Sequence, residues 1–175
     1  STTAAAFAKL GFRVLSDDLA VLSIKDNRFY VESGYPKVRL RPKSLAMLYP
    51  EIKTEFLSVF SHRDSRYTDI ENHFCESKLP VGAIYILGET VEDDGEPFIE
   101  PLSAQRLIHL HENTFASYII TPDLRKQEFE LISKLSLHVP VNLLRFGRKV
   151  EMVNLQCKTV IKDLSELQNK KIPNY

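Results

Sequence analysis

The first twenty-two residues, STTAAAFAKLGFRVLSDDLAVL, restrict the possible folds of this chain more than any other stretch. Four alanines at residues 4–8, together with Phe7 and Leu10, favour a helix with little side-chain bulk that can pack closely against a sheet. Gly11 is the expected end of that helix, because glycine takes the left-handed conformation at little cost. Residues 12–15 then predict a short strand, with Asp17 and Asp18 at its carboxyl end. Ligands of open α/β sheets bind at the carboxyl ends of strands, so this carboxylate pair marks a candidate site.

The chain opens directly on the predicted helix with Ser1, Thr2 and Thr3, which is typical of the end of a phosphate-binding loop, G-x-x-x-x-G-K-[ST]. The backbone N–H groups of such a loop hold phosphates, its lysine reaches the terminal phosphates and its last hydroxyl ligates magnesium. Ser1 would be that last residue, so we expect the glycines and the lysine to precede this chain. Ser1 and Thr2 are then candidate nucleotide-binding residues. The alternative is that one of the three hydroxyls only caps the helix.

This stretch resembles the ATP-binding core of the HPr kinase/phosphorylase family, and especially the smaller HPr-kinase-like serine kinases of bacterial gene clusters. Ser1, Gly11, Arg13 and the pair Asp17 and Asp18 match the family pattern without a gap. A second segment, GYPKVRLRP from residue 34, matches the family's gyP-x-lrL-x-P, and looser similarity continues to about residue 164. The resemblance implies an α/β fold with a mixed β-sheet flanked by helices around a P-loop core, as in HPr kinase and phosphoenolpyruvate carboxykinase.

The resemblance also implies roles for the first candidate residues. Phosphoryl transfer needs a phosphate cradle, a magnesium ion and a base for the acceptor hydroxyl. By resemblance, Asp17 would be the general base for a serine hydroxyl, while Asp18 and Ser1 would hold Mg²⁺. Neighbouring side chains alternate in extended chain, so the carboxylates can have two roles, and which has which stays open. The alternative is that the pair only caps the turn into the next hairpin.

Basic residues in the second segment are further candidates for nucleotide binding. Lys37, Arg39 and Arg41 alternate with apolar residues, which predicts that all three lie on one side of a short strand. The arginine fork is suited to phosphate, so Arg39 and Arg41 are expected to contact ATP. The polar segment at residues 61–80 predicts a loop or lid. The resemblance implies a Lys-Arg pair near this point, and Arg66 matches its arginine, with Ser65 in place of the lysine. The alternative for the strand is an ordinary solvated polar face.

Two departures from the family narrow the expected substrate. Thr2 stands where HPr kinases proper have an acidic residue after the loop's serine. The family's later arginine- and glycine-rich segment, which carries a metal-binding glutamate, is not found. We therefore do not expect the phosphorylase half-reaction, or HPr itself as the substrate.

Length and composition indicate one domain and exclude several classes of partner. A chain of 175 residues with 43% hydrophobic residues can bury a single core, so one nucleotide-binding domain is expected over residues 1–175. A net charge of zero argues against nucleic acid, and no apolar run reaches the roughly 18 residues of a membrane span. Cys75 and Cys157 are too few for a disulfide framework, which favours a reduced, cytoplasmic location.

The rest of the chain predicts alternating strands and helices. A hairpin is expected at residues 19–32, turning at residues 25–28, and Pro42 is expected to begin a helix through Leu48. The later predicted elements are a helix at 51–60, a buried central strand at 81–87, a strand at 98–102, a helix at 103–110, an apolar segment at 117–121, a helix at 122–137, a strand at 139–146 and a helix at 150–167.

The sequence thus predicts an ATP- and Mg²⁺-dependent kinase-like domain that transfers phosphate to a serine hydroxyl of a small protein or peptide. Its expected partners are ATP and that acceptor, and self-association into a homo-oligomer is left open. One alternative is a non-catalytic relative that binds a nucleotide or a partner for regulation. Another is a small-molecule enzyme similar to phosphoenolpyruvate carboxykinase, for which the short chain leaves little room.

Overall fold

The computed structural model describes residues 1–52, 66–89, 95–115, 121–147 and 149–171. These ranges contain α-helices α1 (Thr2–Lys9), α2 (Pro42–Leu48), α3 (Arg106–Glu112), α4 (Pro122–His138) and α5 (Val153–Lys171). They contain strands β1 (Leu22–Lys25), β2 (Arg28–Val31), β3 (Lys37–Leu40), β4 (Arg66–Asp69), β5 (Leu79–Pro80), β6 (Ile84–Glu89), β7 (Phe98–Pro101) and β8 (Val141–Phe146). Single 3-10 turns cover Glu71–His73 and Val150–Met152.

The described strands form three small sheets, so the protein is mixed α/β. The first sheet has the order β1-β2-β5 and the second pairs β3 with β4, both antiparallel. In the third, β8 lies between β6, which runs parallel to it, and β7, which runs antiparallel. The expectation of a mixed α/β fold is confirmed, although only the third sheet is itself mixed. None of the described helices is both long and apolar enough to cross a membrane.

Local sequence signals placed several elements correctly. Gly11 follows α1 with a φ of 87°, the left-handed conformation expected after a helix end. The hairpin turns through Asp26 and Asn27 with φ values of 51° and 57°. Positive φ at both central residues is the type I′ geometry that matches the twist of a two-residue hairpin. The helix that begins at Pro42 ends at Leu48, as predicted.

Small side chains let α1 pack closely into the main core. Ala5, Ala6 and Ala8 are fully buried against a cluster that includes Val38 of β3 and Cys157 of α5. The remaining buried members of this cluster are Val14, Leu40, Leu45, Leu48, Tyr49, Ile70 and Val153. A second core lies between β8, α3 and α4 and includes Phe29, Leu110, Ile132, Leu135, Val139 and Val141. The first core therefore fixes α1 against β3 and α2, which are the elements around the candidate site.

The strand predicted at residues 12–15 is reduced to a single bridge. The Val14 N–H donates to the carbonyl of His73 at 2.7 Å, and the Cys75 N–H donates to the carbonyl of Val14 at 3.0 Å. These two bonds form an isolated parallel bridge between Val14 and Phe74. The polar segment predicted as a loop also contains a strand, β4, which pairs with β3.

Among the described strands, the one predicted as buried and central lies at the edge of its sheet. Instead of residues 81–87, β6 covers Ile84–Glu89, and within the described part of the chain it pairs with β8 alone. Leu87 is 53% exposed. The central strand is β8, whose first four residues are all buried. An apolar run predicts burial, but the strand order decides which strand is covered on both sides.

The helical predictions in the second half need smaller corrections. The spacing of apolar residues predicts Phe129 on the inner face of α4, with Ile132, Leu135 and Ser136, but Phe129 is 55% exposed while those three are buried. The helix expected from Ser103 begins at Arg106. The helix predicted at 51–60 and the apolar segment at 117–121 lie almost wholly outside the described residues.

Candidate functional site

Asp17 lies between the start of α1 and strand β3. Its side chain is only 1% exposed, and its Oδ1 atom lies 3.3 Å from the backbone nitrogen of Ser1. Its Oδ2 atom accepts the backbone N–H of Arg39 at 2.7 Å. Apart from this ion pair with the Ser1 nitrogen, no described group forms a hydrogen bond with Oδ1. Asp17 therefore connects the start of α1 with β3 through its two carboxylate oxygens.

Asp18 is in a different environment from its neighbour. The residue is exposed, whereas the side chain of Asp17 is buried. The pKa of Tyr35 is raised above its ordinary value. The largest cause is partial burial, followed by the neighbouring Tyr67 phenol and the carboxylates of Asp18 and Asp17. Both carboxylates therefore lie within electrostatic reach of the Tyr35 hydroxyl. Asp17 and Asp18 lie at a bend in the chain and differ in burial.

A glycine allows the loop that carries the aspartates to approach the chain before β3. The Gly34 N–H donates to the carbonyl of Leu15 at 2.8 Å. A Cβ atom at Gly34 would lie 2.9 Å from the Ser16 Oγ and 3.2 Å from the Leu15 carbonyl oxygen. The Ser16 hydroxyl is itself held, because it donates to the carbonyl of Leu19 at 2.6 Å. The position of the aspartate loop, residues 15–20, thus depends on the absence of a side chain at residue 34.

The exposed face of the β3–β4 ribbon is basic and aromatic. Lys37 and Arg39 are exposed, while Val38 and Leu40 are buried, so the predicted alternation is confirmed for this strand. Tyr67 lies directly opposite Arg39 in the antiparallel register, which puts the two side chains on one face.

Further aromatic and basic groups border this face. The rings of Tyr67 and Tyr35 contact each other edge to face, with centroids 6.4 Å apart. Arg41 is also exposed and is the residue before α2, where its carbonyl accepts the Leu45 N–H at 2.9 Å. Among the ion pairs of the described residues, none involves Lys37, Arg39 or Arg41.

Two candidate residues, Thr2 and Arg66, have no described contact with the Asp17 carboxylate. The Thr2 hydroxyl donates to the hydroxyl of Ser44 at 3.1 Å, so it joins α1 to α2. The backbone of Arg66 pairs with Leu40 at the start of β4, and its side chain lies outside the described part of the chain. Ser1, Asp17 and Arg39 are thus the sequence-predicted residues that the fold joins directly.

Sequence reasoning gave no role to Tyr35, Tyr67 or Gly34. Gly34 and Tyr35 belong to the segment that matches the family pattern, and this was the available signal for them. Tyr67 lies in the polar stretch predicted as a loop, and only the pairing of β3 with β4 brings it next to Arg39. In the ranges that the structure describes, no three His, Cys, Asp or Glu side chains gather into a group that could hold a metal ion.

Comparison with known proteins adds no relative to this description. Neither the protein-family models, nor the curated proteins, nor the solved structures gave a match to this chain.

Proposed function

We propose that this chain is an ATP- and Mg²⁺-dependent kinase-like domain, of the HPr-kinase-like P-loop type, that transfers phosphate to a serine hydroxyl of a small protein or peptide. The observation that carries the proposal is the position of Asp17. Its nearly buried carboxylate lies 3.3 Å from the backbone nitrogen of Ser1, at the start of α1. Helix N-termini favour phosphate groups, and an acidic residue beside the last hydroxyl of the loop is the arrangement that P-loop enzymes use for magnesium.

The groups present fit a magnesium ion. Mg²⁺ prefers oxygen ligands and is usually held by one or two carboxylates together with substrate phosphates, rather than by a complete set of protein side chains. The Ser1 hydroxyl and the Asp17 Oδ1, which is ion-paired with the Ser1 nitrogen and has no described hydrogen-bond partner, are oxygen ligands of this kind. The bound ion would neutralise charge on the terminal phosphates of ATP.

The sequence leaves open which aspartate holds the magnesium ion and which is the general base. We favour the assignment in which Asp17 faces the cation. Asp17 is 1% exposed and bonded to β3, so an acceptor protein has little access to it. Asp18 is exposed and can reach a serine on a partner. In the transfer step the serine oxygen bonds to the terminal phosphorus, the bond from phosphorus to the bridging oxygen of ADP breaks, and the hydroxyl proton moves to Asp18.

Arg39 and Arg41 are exposed cations on the chain segment that is bonded to Asp17. The backbone of Arg39 is fixed by its bond to Asp17, and its side chain belongs to the exposed face of β3. Arg41 lies two residues further along, beside the start of α2. Guanidinium groups bind phosphate oxygens in a bidentate manner, so both residues are suited to orient the triphosphate.

The proposal is tested by ATP turnover of the full-length protein, measured as magnesium-dependent phosphate release and as transfer to serine-containing peptides. We expect Asp18→Asn to lower the transfer rate about 10²–10⁴-fold, the range for loss of a general base. Asp17→Asn should lower the transfer rate and should also weaken the dependence of that rate on the magnesium concentration.

Asp26→Asn is the matched control, because it makes the same change on an exposed turn whose φ of 51° suits asparagine. Equal turnover by the wild type and both site variants would overturn the proposal. Magnesium-dependent ATP binding with no transfer by the wild type would instead favour the non-catalytic, nucleotide-binding alternative.

A further inference from the structure

An uncharged pocket lies beside the loop that carries the two aspartates. Three of its lining residues, Leu15, Ser16 and Ala20, belong to the aspartate loop and bracket Asp17 and Asp18 in the chain. The facing wall consists of Val31 of β2 and residues 79–83. Its volume is about 340 Å³, at the small end of the range of about 300–1,000 Å³ that is usual for ligand pockets.

The chemistry of the wall selects an aliphatic group. None of the nine lining residues carries a charge, so the pocket offers nothing to a triphosphate or to an acidic side chain. The one lining hydroxyl, that of Ser16, already donates to the carbonyl of Leu19 at 2.6 Å. Leu79 is 44% exposed, so burial by a partner would remove apolar surface from water.

The backbone at one edge of the pocket is available to a peptide. The Val81 N–H donates to the carbonyl of Phe29 and the Ile84 N–H to the carbonyl of Pro140, both at 2.9 Å. Between these two bonds, the amides of Gly82 and Ala83 donate to no described backbone carbonyl. Extended peptides bind by adding main-chain hydrogen bonds of this type while alternate side chains fill pockets.

We propose that this pocket receives an aliphatic side chain, such as leucine, of the peptide segment that contains the acceptor serine. The inference rests on the proposed function, because the pocket matters for specificity only if the serine is phosphorylated at the neighbouring aspartates. Because residues of the aspartate loop line the pocket, the aliphatic residue that fills it would lie within a few positions of the acceptor serine. The acceptor is therefore a serine peptide with a required aliphatic neighbour.

The test is a binding measurement that does not depend on turnover. Nitrogen-15-labelled full-length protein is titrated with pools of capped heptapeptides that have a central serine and one position fixed as leucine, or as glutamate in the matched pools. We expect the amide resonances of Gly82 and Ala83 to shift with a leucine pool and not with the corresponding glutamate pool. Equal responses to both kinds of pool, or no response to any, would overturn the inference.

Two variants that fill the pocket connect the shifts to this site. An added Cβ at Gly82 meets no atom within 4 Å, so Gly82→Leu can be accommodated and should weaken binding of the leucine pool at least about tenfold. Ala20→Leu fills the pocket from the opposite wall, and Ala46→Leu, at an exposed position of α2 that does not line the pocket, is its matched control. Unchanged binding by both pocket variants would also overturn the inference.

ATP measurements on the same variants separate this inference from the proposed function. If Gly82→Leu weakens ATP binding and leaves peptide binding unchanged, the pocket holds the nucleobase and the inference is wrong. If a leucine pool binds at Gly82 but the wild type neither binds ATP nor transfers phosphate, the peptide site stands and the kinase proposal fails. If the wild type phosphorylates leucine and glutamate pools equally well, the kinase proposal stands and the inference fails.

Discussion

The carboxylate of Asp17 accepts the backbone N–H of Arg39 at 2.7 Å, across twenty-two residues of chain. This bond joins the aspartate loop to β3 and fixes which of two adjacent carboxylates turns inward. The other oxygen of Asp17 lies 3.3 Å from the backbone nitrogen of Ser1, so one side chain connects the start of α1 with the basic face of β3. The Asp17 side chain therefore connects three segments that are separate in the sequence.

Asp17→Ala should destabilise the fold and release the Arg39 amide. Loss of the hydrogen bond, and of a negative charge at the start of α1, should lower the free energy of unfolding by about 1–2 kcal/mol. Urea denaturation gives the change in free energy, and the NMR resonance of the Arg39 amide reports the bond directly. In the exposed control, Asp18→Ala, we expect a change within about 0.5 kcal/mol and an unmoved Arg39 amide. Equal effects of the two substitutions would show that Asp17 has no special structural role.

Gly34→Ala should be costly although the change is a single methyl group. The new Cβ would lie 2.9 Å from the Ser16 Oγ and 3.2 Å from the Leu15 carbonyl oxygen, so the aspartate loop must move. We expect a loss of about 1–3 kcal/mol in the free energy of unfolding, as for other overpacked positions. Gly82→Ala is the control, because nothing lies within 4 Å of its added Cβ. If both variants were equally stable, the close approach at Gly34 would not constrain the loop.

Tyr85→Phe should remove a link between β6 and α5 whose strength depends on pH. The Tyr85 hydroxyl donates to the Asp163 Oδ2 at 2.6 Å. Burial first, and then the bond to Asp163 and its charge, raise the pKa of Tyr85 above its ordinary value of 10.0. The folded state thus holds this proton more tightly than the unfolded state, and the resulting stability is complete below pH 10 and is lost as the pH rises further.

Urea denaturation of the wild type and of Tyr85→Phe checks this at several pH values. We expect the variant to be less stable by about 1 kcal/mol between pH 6 and 9, the usual size for such a hydrogen bond. The difference between the two proteins should shrink as the pH is raised above 10. A difference that grows in that range would contradict the sign of the pKa shift.

Cys157 should be nearly unreactive until the protein unfolds. Its side chain is fully buried in the first core, and burial raises the pKa of the thiol from 9.0 to about 11. Thiolate is the reactive species, so alkylation at pH 8 should be at least about a hundredfold slower in the native protein than in urea. Mass spectrometry of the peptide that contains Cys157 measures the two rates separately from Cys75. Equal rates in the native and unfolded protein would place Cys157 outside the core.

Several parts of the fold could be predicted because they depend on residues that are adjacent in the sequence. The end of α1 at Gly11, the turn at Asp26 and Asn27 and the start of α2 at Pro42 follow from backbone preferences that act within a few positions. The alternation of β3 likewise predicts Arg39 on the exposed face without reference to the partner strand, and the structure confirms it. The assignment of the chain as a kinase stays a prediction, as do the roles of its aspartates.

Other parts were decided by contacts between distant segments. Phe129 has the spacing of a core residue, but the face of α4 that meets α3 and β8 buries Ile132 and Leu135 instead. The apolar run at residues 81–87 indicated a buried central strand, yet in the order of the described strands β8 lies at the centre of its sheet. Periodicity along one element cannot specify which neighbour covers it, because that depends on how all the elements pack.

The sequence by itself determined the local chemistry of this protein: a helix that begins at a hydroxyl, a glycine that ends it and a pair of carboxylates close behind. The tertiary structure alone decided that Asp17 turns inward to Ser1 and Arg39 while Asp18 faces solvent. It also decided that Tyr67 lies beside Arg39. The physical reason is that backbone conformation is governed by adjacent residues, whereas hydrogen bonds and strand pairs between remote segments form only when the whole core is assembled.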